Sequence, residues 1–246
     1  MAKKIETKAK KAEKKAVKVT PESLFETGAH FGHIARRWNP KMEKYLYGKK
    51  GGIHIFDLEK TMEELEKAAE FLRKSASEGK RIVLVGTKRQ SEKVVKEETI
   101  KAGIGYVTER WLGGTITNWG QIKTRIDRLN RLKKGREEGR YAGYTKKERL
   151  LIDREIAKLE RFFGGLADLG GEPEVVVVFD IRKDKIAAKE AQSRNIPVIG
   201  IVDSNANPDL VDYPIPMNDD ASAAVEMVIK YLIEQIKLGK KKKGKK

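Results

Sequence analysis

The chain has 246 residues, no cysteine, 36% charged residues and a net charge of +17. Without cysteine there are no disulfides or thiolate metal sites. No apolar run approaches the roughly eighteen residues of a membrane span, and the charged N-terminus lacks the apolar stretch of a secretory signal, so a soluble, cytoplasmic protein with polyanionic partners and no membrane contact is expected.

The positive charge is uneven. Residues 1–20 hold eight Lys against two Glu, and residues 237–246 hold seven Lys and no acid. Residues 118–163 hold fourteen Lys and Arg against seven Asp and Glu, which leaves the rest of the body near −3. This divides the chain into a disordered Lys-rich tail over 1–20, a folded body over 21–238 interrupted by a basic segment over 118–163, and a second disordered Lys tail over 239–246. Each tail can serve phosphate attraction or solvation.

Order begins at Thr20-Pro21-Glu22, a cap with proline at the first helical position, giving a short helix through Thr27. Residues 28–42 then interleave aromatic and basic side chains in a Gly/Pro loop. Such a loop suits backbone contact with stacking on RNA, or an ordered turn that packs its Trp on the core. His30 and His33 lie here without Cys or acidic neighbours close in sequence, a weak metal signal. Tyr45-Leu46-Tyr47 and Ile53-His54-Ile55-Phe56, joined by a Gly/Lys turn, read as a β-hairpin.

Asp57 caps a helix that Gly79 ends. A buried strand over 81–86, a helix over 89–101 and a shorter strand at Tyr106-Val107 follow. Beyond Gly113-Gly114, Asn118 and Gln121 have capping-box spacing, and Trp119, Ile122, Ile126 and Leu129 form one helical stripe. Gly135 to Gly143 interrupts it. Thr145 and Glu148 open a second helix, with Ile152, Ile156, Leu159 and Phe163 on one face. Two such stripes predict an antiparallel coiled-coil hairpin, projecting from the body with its other faces basic. Those charges suit either a phosphate partner or a solvated helix pair.

Glu174 to Phe179 is a β-branched run of the kind covered on both faces. A helix over 183–194, strands over 197–202 and near Tyr213-Pro214-Ile215, and a final helix from Asn218 to about Leu238 complete the pattern. The alternation predicts an α/β fold: a flavodoxin-like, doubly wound parallel five-stranded sheet of order 2-1-3-4-5, with the hairpin inserted between its second and third strands.

In that fold, ligands bind at the carboxyl ends of the first and third strands. These ends carry Gly86-Thr87-Lys88-Arg89 and Asp180-Ile181-Arg182-Lys183, which makes a nucleotide- or phosphometabolite-binding enzyme the alternative reading. Neither GxxxxGK[ST] nor a GxGxxG after a strand is present. Asp180 and Asp203 end neighbouring strands and are a weak candidate pair for a hard cation, or simply helix caps and turn formers.

Several stretches together resemble one family: Phe25-Glu26-Thr27-Gly28-Ala29-His30-Phe31-Gly32-His33, Arg36-Arg37-Trp38-Asn39-Pro40-Lys41-Met42, Asp57-Leu58-Glu59-Lys60-Thr61, Val85-Gly86-Thr87-Lys88-Arg89, Arg110-Trp111-Leu112-Gly113-Gly114 and Ile201-Val202-Asp203-Ser204-Asn205. They are similar, in order and from about residue 21 to 236, to the S-two family of small-subunit ribosomal proteins in its bacterial or organellar branch. The resemblance implies a non-catalytic structural component of the small (30S) subunit, supporting translation and assembly. It implies contact with 16S ribosomal RNA and other small-subunit proteins near the head–body junction, with the large S-one protein a further partner in some bacteria. It implies no small-molecule substrate and no cofactor beyond magnesium associated with RNA. The RNA-facing candidates it carries are Arg36, Arg37, Trp38, Asn39, Lys41, Lys88, Arg89, Arg110 and Trp111. The hairpin pattern adds Lys123, Arg125, Arg128, Arg131, Lys133 and Lys134, most of which would hold phosphates without reading sequence.

Overall fold

The computed structural model describes residues 18–243; the Lys-rich stretches expected over 1–17 and 244–246 lie outside the described residues. Eight strands form two sheets. The larger contains β4 (Ile82–Val85), β5 (Gly105–Val107), β6 (Val175–Val178), β7 (Val198–Val202) and β8 (Tyr213–Pro216), all parallel, in the order β5-β4-β6-β7-β8. Numbered along the chain these five strands run 2-1-3-4-5, the order expected from the alternation of strands and helices.

The period of two along each strand divides the core between the faces of this sheet. Ile82, Leu84, Val175, Val177, Ile199 and Ile201 point into one apolar layer. The helices α2 (Leu58–Glu78), α3 (Arg89–Ala102) and α7 (Ser222–Lys243) cover that face. Val83, Val85, Val176, Val178, Val198 and Val202 point into the other layer. There α6 (Lys185–Ser193) and the base of the hairpin formed by α4 (Trp119–Glu137) and α5 (Lys146–Phe163) complete the packing. The connection from β5 to β6, which a simple doubly wound fold makes with one helix, is here made by the hairpin. Its lower seam of Ile122, Ile126, Leu129, Ile156, Leu159 and Phe163 is continuous with the core. Gly165 makes the return possible, because a Cβ there would lie 2.2 Å from the carbonyl oxygen of Tyr106.

The smaller sheet departs from expectation. Alongside the predicted hairpin of β2 (Leu46–Lys50) and β3 (Ile53–Phe56), residues Phe31–Ile34 form β1, antiparallel to β3. The stretch read as a Gly/Pro loop is therefore a strand followed by 3-10 turns at Ala35–Arg37 and Pro40–Tyr45. Glycine at 32 hides the strand from a pattern reading. A side chain there would press on Ser204 Oγ at 2.9 Å and the His54 carbonyl at 3.1 Å, and that close approach docks the small sheet on the end of β7.

The first helix, α1 (Pro21–Glu26), starts with a reciprocal capping box between Thr20 and Ser23. Thr145 and Glu148 form the box predicted for α5. Asn118 precedes α4 but makes no side-chain capping bond, so that predicted box does not form. At the other end α7 runs beyond residue 238 to Lys243. Gly239 lies against the Arg73 carbonyl of α2, and Lys240 Nζ donates to the carbonyls of Ala102 and Gly103 at 3.2 and 2.7 Å. The first five residues of the expected tail are thus helix.

Candidate nucleic-acid interface

A parallel sheet brings the carboxyl ends of all its strands to one edge, and α4 starts from that same edge. The exposed cations there are Arg89 at the start of α3, Arg110 after β5, and Arg182 and Lys183 after β6. The turn after β1 of the small sheet adds Arg36 and Arg37, both exposed and, among the described residues, without an ion pair. Asn39 caps its own turn, accepting the Lys41 amide at 3.1 Å, while its backbone amide donates to the Ser204 carbonyl at 2.7 Å. The Lys41 ammonium pairs with Asp209. Trp38 is half-buried and stacks on His54, ring centroids 4.8 Å apart.

Lys88 behaves differently from its neighbours. Its ammonium lies 2.7 Å from Asp219, 2.6 Å from Asp220 and 3.6 Å from Asp180. Burial pushes its pKa down, but hydrogen bonds to Asp219 and Asp220 outweigh this and the net shift is upward. It is a bound cation inside a carboxylate cluster rather than a free phosphate ligand. The switch-point crevice keeps a cavity of about 330 Å³, but the carboxylates of Asp180, Asp219 and Asp220 that line it oppose a nucleotide's phosphates and engage Lys88.

Asp180 and Asp203 each make contacts of their own. Asp180 accepts the Lys183 amide at 2.8 Å, closing a turn. Asp203 accepts the Asp219 amide at 3.2 Å and meets His33 Nδ1 at 3.0 Å. This hydrogen bond is the main cause of an upward shift in the His33 pKa. Ligand-type atoms of His33, Asp203 and Asp219 all lie within 4.8 Å of one another, a spacing one divalent cation could bridge. His30 instead stacks on Phe25 at 4.3 Å, and burial lowers its pKa.

On the hairpin, the cations sort into two groups. Arg128 forms a two-pronged bond with Glu155, at 2.5 and 2.9 Å, Lys133 pairs with Glu160, and Arg136 meets Asp153 at 3.3 Å. These three pairs cross from α4 to α5 and tie the helices together. Lys134 and Arg140 share Glu138, and Arg161 pairs with Glu109. That accounts for six of the fourteen cations over residues 118–163. The other eight, among them Lys123, Arg125, Arg131, Arg154 and Lys158, are exposed and form no ion pair among the described residues. Lys134–Glu138 is an i,i+4 pair that charge patterning can show, but the cross-helix pairs cannot be read that way, because their partners are distant in sequence, by 27 residues in Arg128–Glu155.

Trp111 is only 4% exposed and belongs to the core layer beneath the hairpin, so its ring is not a surface for stacking. Its indole Nε1 donates to Glu190 Oε1 at 3.4 Å. The same carboxylate accepts the amides of Gly114 at 2.7 Å, Ile116 at 3.0 Å and Thr117 at 3.4 Å. Arg194 adds a bond from Nη2 to the Thr117 carbonyl at 3.0 Å. Glu190 thereby pins the loop from which the hairpin departs. No sequence signal singled it out, since it is one of many charged residues on an amphipathic helix.

Among the described residues no helix is long and apolar enough to cross a membrane. The model of the family described as "Ribosomal protein S2" matches residues 24–239. The chain is also 44% identical, over 218 residues, to the small ribosomal subunit protein uS2 of Oenococcus oeni, an alignment that covers 89% of this chain and 84% of that protein.

Proposed function

The chain belongs to the ribosomal protein S2 family, and on that premise we propose that it clamps 16S ribosomal RNA with the unpaired cations of its hairpin and of the carboxyl edge of its sheet. As a member of a structural family it is a non-enzymatic component of the small ribosomal subunit. The observation that supports the clamp is the division of the hairpin's charge: three of the six paired cations bind helix to helix, and eight cations without an ion pair among the described residues are left at the surface. Phosphate oxygens satisfy such groups without sequence reading, and each contact releases counterions.

In this reading Lys123, Arg125 and Arg131 contact the backbone directly, while Arg128 and Lys133 hold the hairpin straight. Arg36, Arg37, Arg89 and Arg110 extend the contact across the body. The site near the head–body junction, neighbouring small-subunit proteins including S-one, and a cytoplasmic location are parts of the same proposal. Sedimentation with small subunits at rising salt tests it. Arg125→Glu with Arg131→Glu should abolish co-sedimentation at a salt concentration where the unmodified chain is retained, with the circular dichroism unchanged. Normal incorporation of that variant would remove the hairpin from the interface.

A further inference from the structure

At the far end of the hairpin, the turn between α4 and α5 encloses a cavity of about 580 Å³. Its lining combines the apolar Tyr141, Ala142, Leu150 and Ile152 with Arg136, Lys146, Arg149 and a single carboxylate, Asp153, which is paired with Arg136. The turn is built to hold this shape. Gly135 continues α4 where a Cβ would lie 2.6 Å from Tyr141 Oη, so the missing side chain seats the phenol against the helix. Tyr144 meets Tyr141 edge-on at 5.5 Å. The capping box of Thr145 and Glu148 then fixes the start of α5.

Two features of the cavity are unexplained by folding. Leu150 in its lining is 49% exposed, and near it in sequence Leu151 and Tyr144, outside the lining, are 53% and 48% exposed, on a hairpin otherwise faced with charge. Among the described residues Lys146 and Arg149 have no ion pair, whereas Arg136 is held by Asp153. An uninterrupted phosphate backbone explains the cations but not the apolar walls, since a duplex presents no apolar face sideways. An unstacked nucleotide supplies both a flat apolar base and an adjacent phosphate.

We propose that this cavity receives a single unstacked nucleotide of RNA, its base against Leu150 and the Tyr141–Ala142 wall and its phosphate on Lys146 and Arg149. The inference rests on the RNA-clamp reading and deepens it. RNA is favoured over an acidic peptide because both helices carry further exposed cations without an ion pair among the described residues, Lys147 and Arg154 on α5 and Arg131 on α4, which suit an extended phosphate backbone.

The test uses the full chain with 16S RNA carrying 4-thiouridine, cross-linked by light and mapped by mass spectrometry, beside affinity measurements. The expected result is a cross-link from the peptide around Tyr141 to Leu150 to one unpaired nucleotide. Leu150→Asn, at a half-exposed position that should not disturb folding, should remove this cross-link and weaken binding about fivefold, from the ~1 kcal/mol lower bound for a stacked base. Unchanged affinity and cross-linking in Leu150→Asn would overturn the inference. So would an amine cross-link from Lys146 to another subunit protein with no RNA adduct at the tip, which would assign the cavity to a peptide. Loss of binding in the Arg125 and Arg131 variant with no effect at Leu150 would defeat the pocket and leave the clamp standing. No effect in either would defeat both.

Discussion

Glu190 and Gly114 are joined by a 2.7 Å hydrogen bond from backbone amide to carboxylate, and this contact fixes the direction in which the hairpin leaves the body. The carboxylate also receives the Ile116 amide at 3.0 Å, so one side chain satisfies donors that the turn cannot pair internally. Glu190→Ala leaves these half-buried amides without a partner and should cost about 1–3 kcal/mol. Hydrogen exchange at Gly114 and Ile116 should accelerate well before that of the sheet. Glu190→Gln, which keeps one carbonyl acceptor, should fall between the two. Equal exchange in all three proteins would mean that the turn stands without the anchor.

Gly239 sits where α7 crosses α2. A Cβ would lie 2.3 Å from the Arg73 carbonyl oxygen and 2.8 Å from Ala76 Cβ, and neither is the end of a flexible chain that could move aside. Gly239→Ala improves helix propensity by up to ~1 kcal/mol, yet it should destabilise the protein by more than that gain. The last turn of α7 would lift and Lys240 would lose its two carbonyl acceptors. Urea unfolding decides the sign, and a stabilised variant would contradict the close packing.

Arg128 and Arg125 are neighbours on α4 with opposite roles. Arg128 is locked to Glu155, and this hydrogen bond holds the Glu155 carboxyl below its usual range. Arg125 forms no ion pair. Arg125→Ala should leave the melting temperature unchanged and reduce the salt dependence of RNA binding by about one unit of slope. Arg128→Ala should loosen the hairpin, seen as faster exchange of α5 amides, because an exposed cross-helix pair contributes only modestly but aligns the helices. Identical salt slopes for the two variants would erase the distinction.

The sheet order and the hairpin seam were legible because each follows from a period. Alternation placed Val83 and Leu84 on opposite faces, and spacings of three and four placed Ile122, Ile126 and Leu129 on one stripe. What escaped were features set by contacts distant in sequence. Strand β1 was hidden because Gly32 and His33 answer to Ser204 in the turn after β7, whose Oγ accepts the His33 amide at 2.8 Å. Lys88 read as a surface cation because its partners Asp219 and Asp220 arrive about 130 residues later. Arg36 and Arg37 stay exposed on a turn whose polarity the sequence shows, whereas Trp111 and Lys88 are drawn inward by tertiary contacts.

Asp184 gives the fold a pH dependence that can be isolated. Burial raises its carboxyl from 3.8 to about 6, opposed by the Thr87 hydroxyl, which donates to it at 3.0 Å, and reinforced by Asp180. A carboxyl with a raised pKa holds its proton more tightly in the folded chain than in the unfolded one. Its contribution to stability is therefore full below pH 3.8, declines as pH rises towards 6, and is lost above that. Asp184→Asn keeps an acceptor for Thr87 and removes the buried charge. The difference in unfolding free energy between variant and parent should grow in the variant's favour across this window, on the order of 2–3 kcal/mol at most. Urea midpoints at pH 4, 5, 6 and 8 measure it. Since other carboxylates titrate equally in both proteins, two parallel curves would mean that Asp184 is already well solvated or compensated as an anion, and that Thr87 and the start of α6 stabilise the charge as fully as water does.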